Sequence, residues 1–159
     1  MTEPALTKPH PDDFLGRVEF REAALLSFVT SAIIVPAYDR VKRDFGISRA
    51  EYMLLLCLSH YPVLTAQDVS RLTGRPRNSI SRAVHRMLAE GYIDRVPAPN
   101  DARQARLTIT SRGRSLHTKV VEVMTAREAE VLQVLSDADR RALERILTSV
   151  SRHAAGLSD

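Results

Sequence analysis

The chain is short of cysteine, of long uninterrupted apolar runs and of glycine-rich loops, and each shortage removes a class of function. Its single cysteine, Cys57, excludes an internal disulfide framework and a cysteine-rich zinc site, which fits a reducing compartment. No apolar run reaches the roughly 18 to 20 residues that span a bilayer. The first thirteen residues are polar and carry acids where a secretory signal needs a basic, apolar stretch. The expectation is therefore a cytoplasmic protein with no membrane partner. There is no phosphate-cradling glycine loop, nucleophile elbow or zinc-hydrolase motif, so no enzyme activity is expected. The acid pairs Asp12/Asp13 and Asp137/Asp139 lie in a polar start and at a helix opening. His10, His60, His85, His117 and His153 show no i, i+4 ligand spacing, so no metal and no cofactor are expected. Internal repeats and low-complexity tracts are also missing.

What is present is one domain's worth of chain, 159 residues that are 44% hydrophobic, enough for a real core but not for a second domain. The net charge of +4 hides a strong polarity. Residues 71 to 114 hold ten arginines against Glu90, Asp94 and Asp101, a local charge of +7, and the rest of the chain sums to −3. A local excess of this kind suits a polyanion, because each guanidinium fork can pair with phosphate oxygens in two places.

Apolar periodicity places the elements. From Phe14 to about Phe45, Leu25, Phe28, Val29, Ala32, Ile33, Ala37 and Val41 recur at helical steps. Pro36 must kink or split that long helix, since it removes one ladder donor. Gly46 ends it, and Ser48 to Glu51 reads as a capping box opening a second helix that is apolar on most sides. A short third helix opens at Thr65 to Asp68 and breaks at Thr73-Gly74. Pro76 suits the first turn of a fourth. There Ile80, Ala83, Val84, Met87 and Leu88 form a buried stripe, leaving Arg77, Asn78, Ser81, Arg82, His85 and Arg86 in solvent. Residues 92 to 96 and 106 to 109 read as a β-hairpin with a long basic tip. Two further helices follow, one capped by Thr110 or Ser111 and one opened by Ser136 and Asp139.

Two short helices joined by a tight turn, then a hairpin, describe a mainly α winged helix-turn-helix. Arg75, Arg77, Asn78, Ser79, Ser81, Arg82 and Arg86 then project toward base edges or flanking phosphates in the major groove. Arg103 and Arg106 belong to the wing, with Arg103 at its tip suited to a narrow minor groove. Arg75, Arg95, Arg106 and Arg112 fit phosphate contacts, which position without reading sequence. The alternative for Arg71, Arg86 or Arg95 is a pair with an acid such as Glu90 or Asp94, and Asn78 and Ser79 can instead serve as local caps.

Three stretches carry a resemblance: Ser79 to Ile93, Asn100-Asp101-Ala102-Arg103, and Ile109-Thr110-Ser111-Arg112-Gly113. They resemble the recognition helix, the wing and the entry to the following helix of the MarR family of bacterial transcriptional regulators. Ile109 stands where the family usually has leucine, and Arg75-Pro76-Arg77 makes the recognition-helix entry more basic than is typical. The resemblance implies a DNA-binding region at about residues 48–112, with dimerisation helices at about 14–45 and 113–155. It also implies that Asp101 pairs with a wing arginine, that Arg103 enters the minor groove, and that the protein is an obligate homodimer on a pseudo-palindromic operator. Tyr38, Tyr52, His60 and Tyr61 become candidates for lining an effector cavity, for an aromatic or phenolic small molecule that releases a repressor. Core packing is the alternative for each of them. The rival functions are an activator or ligand-independent regulator, a protein-interaction module, and a redox switch at Cys57. That thiol sits among leucines with no basic neighbour in sequence, where a thiol is ordinarily inert.

Overall fold

The computed structural model describes residues 11–96 and 105–156. A short helix α1 (Pro11–Leu15) turns at Gly16 and leads into α2 (Arg21–Phe45). The first long helix therefore starts at Arg21 and not at Phe14. Phe14 folds back instead, its ring edge-on to Phe28 with centroids 5.7 Å apart. Next come α3 (Arg49–His60), β1 (Leu64–Thr65), α4 (Ala66–Thr73), α5 (Arg77–Ala89), the strands β2 (Ile93–Val96) and β3 (Arg106–Ile109), then α6 (Ser111–Leu132) and α7 (Asp137–Gly156).

The boundaries follow the local chemistry. Gly46 closes α2 in the left-handed region, at φ 68°, a conformation that only glycine adopts cheaply. Ser48 and Glu51 make the reciprocal capping box at the start of α3, and Thr65 and Asp68 repeat it at α4. The two hydrogen bonds from Thr65 hold the Asp68 carboxyl below its ordinary pKa. Pro36 does not split α2. It leaves the Ala32 carbonyl without its i+4 amide donor, and Arg127 of α6 supplies the replacement, donating from Nε and Nη2 at 3.0 and 2.7 Å.

The sheet has three strands in the order β1-β3-β2, all antiparallel. The hairpin is present, with Ile93 opposite Ile109 and Val96 opposite Arg106. The extra strand β1 adds Leu64 opposite Leu107; two residues are too few for alternation to show in sequence. The core lies between α3, α5, the sheet and the starts of α6 and α4. Leu54, Leu55, Leu58, Val69, Ile80, Ile93 and Val120 are fully buried there, each burial contributing about 1.5 to 3 kcal/mol.

Gly113 is required for a separate reason. The α6 backbone passes so close to the Tyr92 carbonyl that a Cβ at Gly113 would collide with it, and would lie 2.8 Å from Ile109 Cγ1. The same carbonyl accepts from the Thr110 amide at 3.1 Å, tying the start of α6 to the sheet.

Helix α2 is long and apolar enough to cross a membrane by length and composition alone. Uninterrupted runs hide this, because isolated polar residues break them without lowering the average much. In the fold, however, α2 packs along α6 and takes the Arg127 guanidinium near its middle, the arrangement of a helix–helix seam.

Candidate nucleic-acid interface

Helices α4 and α5 are joined by Gly74, Arg75 and Pro76. Gly74 ends α4 at φ 64°, and the Ser70 hydroxyl donates to the Arg75 carbonyl at 2.6 Å, fixing the turn. Pro76 occupies the N-cap position, one residue earlier than expected, and its carbonyl accepts from the Ser79 and Ile80 amides. No acid stands in the first turn of α5 and no side chain caps it. The helix therefore presents free amides, a positive dipole end and Arg77 together, a combination that favours an anion.

Ile80, Ala83, Val84 and Met87 anchor α5 in the core, with Leu88 half-buried. Arg77, Asn78, Ser81, Arg82 and His85 are exposed on the other side. Ser79 and Arg75 are half-buried, while Arg106 is exposed on β3. Among the described residues, the side chains of Arg77, Asn78, Ser81, Arg82 and Arg106 meet no hydrogen-bond or ion-pair partner. Asp101 and Arg103 lie outside the described residues.

Arg86 takes the internal pairing that was the alternative to a DNA contact, though with a different acid. Its Nη1 donates to both Glu51 carboxylate oxygens at 3.2 Å, and its Nη2 to the Gly46 carbonyl at 2.7 Å. Glu51 is only 5% exposed and also accepts from the Ser48 amide at 2.6 Å. Arg86 therefore braces α5 against the start of α3, and its forked geometry is used up inside the protein. Sequence reasoning had offered Glu90 or Asp94 as its partner. The true partner is 35 residues away, beyond the reach of any local pattern. Arg112 is likewise engaged, stacked over the Tyr92 ring at 4.8 Å from Cζ to centroid.

A cleft of about 230 Å³ opens between α5 and the sheet, lined by Ser81, His85, Arg95, Thr65, Gln67 and others. Gln67 carried no signal in sequence; only the docking of α4 against the sheet brings it beside Ser81 and Arg95.

The aromatic candidates separate. Tyr38 and Tyr52 meet edge-on at 5.9 Å, Tyr52 stacks on His117 at 6.2 Å, and His117 meets His60 edge-on at 6.2 Å. Tyr61 is exposed and joins none of these contacts. The chain of rings runs from α2 through α3 to α6. Arg49 lies over the Tyr38 ring at 5.1 Å, and the Tyr38 hydroxyl reaches the Met53 sulfur at 3.4 Å. Burial raises the phenol pKa of Tyr38 and of Tyr52; Arg49 and Arg75 partly offset the rise at Tyr38, and Tyr38 adds to it at Tyr52. His117 is a participant the sequence did not disclose. Its Nε2 lies 3.1 Å from the Ser59 hydroxyl, whose proton goes to the Leu56 carbonyl at 2.7 Å. The hydrogen on that bond is thereby assigned to Nε2. Burial first, then His60 and Arg114, push the His117 pKa below its ordinary value. Cys57 is buried in α3, and desolvation raises its thiol pKa, the opposite of what an activated thiolate needs.

Comparison with known proteins gives a consistent picture. A family model described as the MarR family matches residues 45–104. The HTH-type transcriptional repressor Rv2887 of Mycobacterium tuberculosis is 26% identical over 133 residues, covering 84% of this chain and 96% of that protein. Its crystal structure in complex with salicylic acid superposes with a TM-score of 0.66 at 23% identity, over 80% of this chain and 94% of that one. A cysteine-to-serine mutant of Escherichia coli MarR complexed with operator DNA superposes with a TM-score of 0.70 at 17% identity, over 82% and 94% of the two chains.

Proposed function

We propose that this chain is a member of the MarR family, which its likeness over residues 45–104 and to the Rv2887 repressor supports, and a homodimeric transcriptional regulator that binds operator duplex through α5 and the wing and represses from that position. One observation carries the reading: Arg77, Asn78, Ser81 and Arg82 stand exposed on a single face of α5, engaged by no internal partner, directly after the three-residue turn from α4. Side chains of this kind read base edges when the helix lies in the major groove, arginine at guanine and asparagine at adenine. Arg106, and the wing tip with Asp101 and Arg103, then lie over the adjoining backbone and minor groove. Arg86 is omitted from the contact set.

Dimerisation follows from unmet burial. Ile146, Leu147 and Val150 on α7 and Leu25, Leu26, Phe28 and Val29 on α2 are exposed apolar side chains, and a second copy would cover them. Two recognition helices about 34 to 36 Å apart then meet successive major grooves. The protein acts in the cytoplasm, where its DNA is.

The ring series Tyr38, Tyr52, His117 and His60 marks the effector region, and Arg49 above Tyr38 favours an aromatic or phenolic ligand that carries an acid group. Such a ligand releases DNA only by binding the DNA-incompetent dimer better, and a coupling of about 1 to 3 kcal/mol shifts occupancy five- to 150-fold.

Mobility shifts over a salt series test the proposal. Operator affinity should fall steeply with salt, and replacing Arg106 by Ala should flatten the slope by about one counterion. Equal affinity for operator and random duplex would defeat it.

A further inference from the structure

We infer that Arg127 is a positioning residue for DNA binding, acting through the Ala32 carbonyl that Pro36 leaves open; this rests on the dimeric DNA-binding reading above. In an unbroken helix the Ala32 carbonyl would be spent on the amide four residues later, but residue 36 is proline and has none. The vacant acceptor faces α6. Arg127 fills it with two donors, Nε at 3.0 Å and Nη2 at 2.7 Å, while Nη1 is held by Glu130 at 2.8 Å. The guanidinium is thus oriented on one side by an acid of its own helix and committed on the other to a single backbone atom of α2.

The rest of the α2–α6 seam is largely apolar, with Ala37, Val41, Val120 and Val123 buried. Apolar contact is non-directional and tolerates small axial shifts of one helix along the other. A forked hydrogen bond to one carbonyl does not. Proline at residue 36 and arginine at residue 127 therefore form a two-part device that selects one register. The register matters because α6 is continuous from the wing: its N-cap Thr110 is bonded to the Gly91 carbonyl at 2.8 Å. Arg127 lies sixteen residues beyond Ser111, about 24 Å along the helix, so a small tilt at the clasp is carried to the reading head.

The test uses the full chain as R127A, P36A and the double variant P36A/R127A. Each is assayed for thermal unfolding and for affinity to duplexes whose half-site spacing is native or one base pair longer. R127A should bind the native spacing about tenfold more weakly and lose most of its discrimination against the altered spacing. In the double variant the new amide at residue 36 takes the Ala32 carbonyl, so its melting temperature should recover toward wild type, while its affinity and spacing preference stay within about twofold of those of R127A, because no clasp remains to fix the register. An R127A protein with unchanged affinity and spacing preference overturns the inference, as does a double variant that regains native affinity and spacing preference. If R127A fails to fold, the double variant decides by the same criterion. A wild type that binds no duplex sinks the DNA-binding reading and this inference together, whereas wild-type binding with an unaltered R127A sinks only the latter.

Discussion

The reading head and the outer helices use similar apolar side chains to opposite effect. Between Val41 and Val123 the chain buries Leu54, Leu55, Leu58, Ile80, Met87, Ile93 and Leu107 against one another, and Glu51, the one buried acid among the described residues, is capped and paired. On α7, by contrast, Ile146 is 56% exposed and Val150 54%. The head needs nothing from outside to hold its shape. On the proposed dimeric reading the outer helices are half of an interface, and the difference separates a part of the molecule built to be rigid from one to be completed by a second copy.

The largest expected effect attacks the unfinished half. The double substitution I146E/V150E should dissociate the dimer, weakening association by roughly a thousandfold, about 4 kcal/mol. The head's helical content should be kept, as read by light scattering together with circular dichroism. An unchanged mass would break the comparison. Gly113→Ala attacks the finished half: a methyl group against the Tyr92 carbonyl should cost about 3 kcal/mol in urea unfolding, and a loss below about 1 kcal/mol would mean that the sheet and α6 separate more easily than their packing implies. Arg86→Ala comes next. Its side chain is 51% exposed, so solvent screens the loss, and about 1 to 2 kcal/mol is expected from leaving the Glu51 carboxylate without its cation. Random-duplex affinity should change less than it does on replacing Arg82. Arg82→Ala should in turn leave the melting temperature within error and relax base preference at one position; a uniform loss on all sequences would make it a phosphate contact.

The smallest effect is at the junction between the two parts. The His117 pKa is lowered in the fold, so below the ordinary imidazole value of 6.5 the unfolded chain binds the proton first. Stability is full above that pH and declines as pH falls toward the folded-state value. His117→Gln should flatten the decline in melting temperature measured from pH 7 downward. A decline of the same slope in the variant would assign it to other groups.

Much of the fold was legible because its signals are local. The capping boxes at Ser48 and Thr65, the glycine stop at Gly46 and the apolar stripe of α5 each act within one or two turns, and each lies where its residues place it. The exposed face of α5 could be read for the same reason, since burying Ile80, Ala83, Val84 and Met87 forces Arg77, Asn78, Ser81 and Arg82 outward. What escaped is non-local. The break between α1 and α2 was overrun by a continuing apolar period, and β1 is defined only by its partner β3. The partner of Arg86 was missed because nothing near it in sequence reveals Glu51, and His117 was passed over because the stacking of Tyr52 on it joins two distant helices.

The sequence by itself determined where helices start and stop, which face of α5 is apolar and where positive charge concentrates, since these depend on side chains a few residues apart. Only the tertiary structure decided which arginines remain available. Arg77, Arg82 and Arg106 stay open, whereas Arg86, Arg112 and Arg127 are consumed by a carboxylate, an aromatic ring and a proline-orphaned carbonyl. A guanidinium takes whichever acceptor packing brings within reach, and that is a property of the folded chain as a whole.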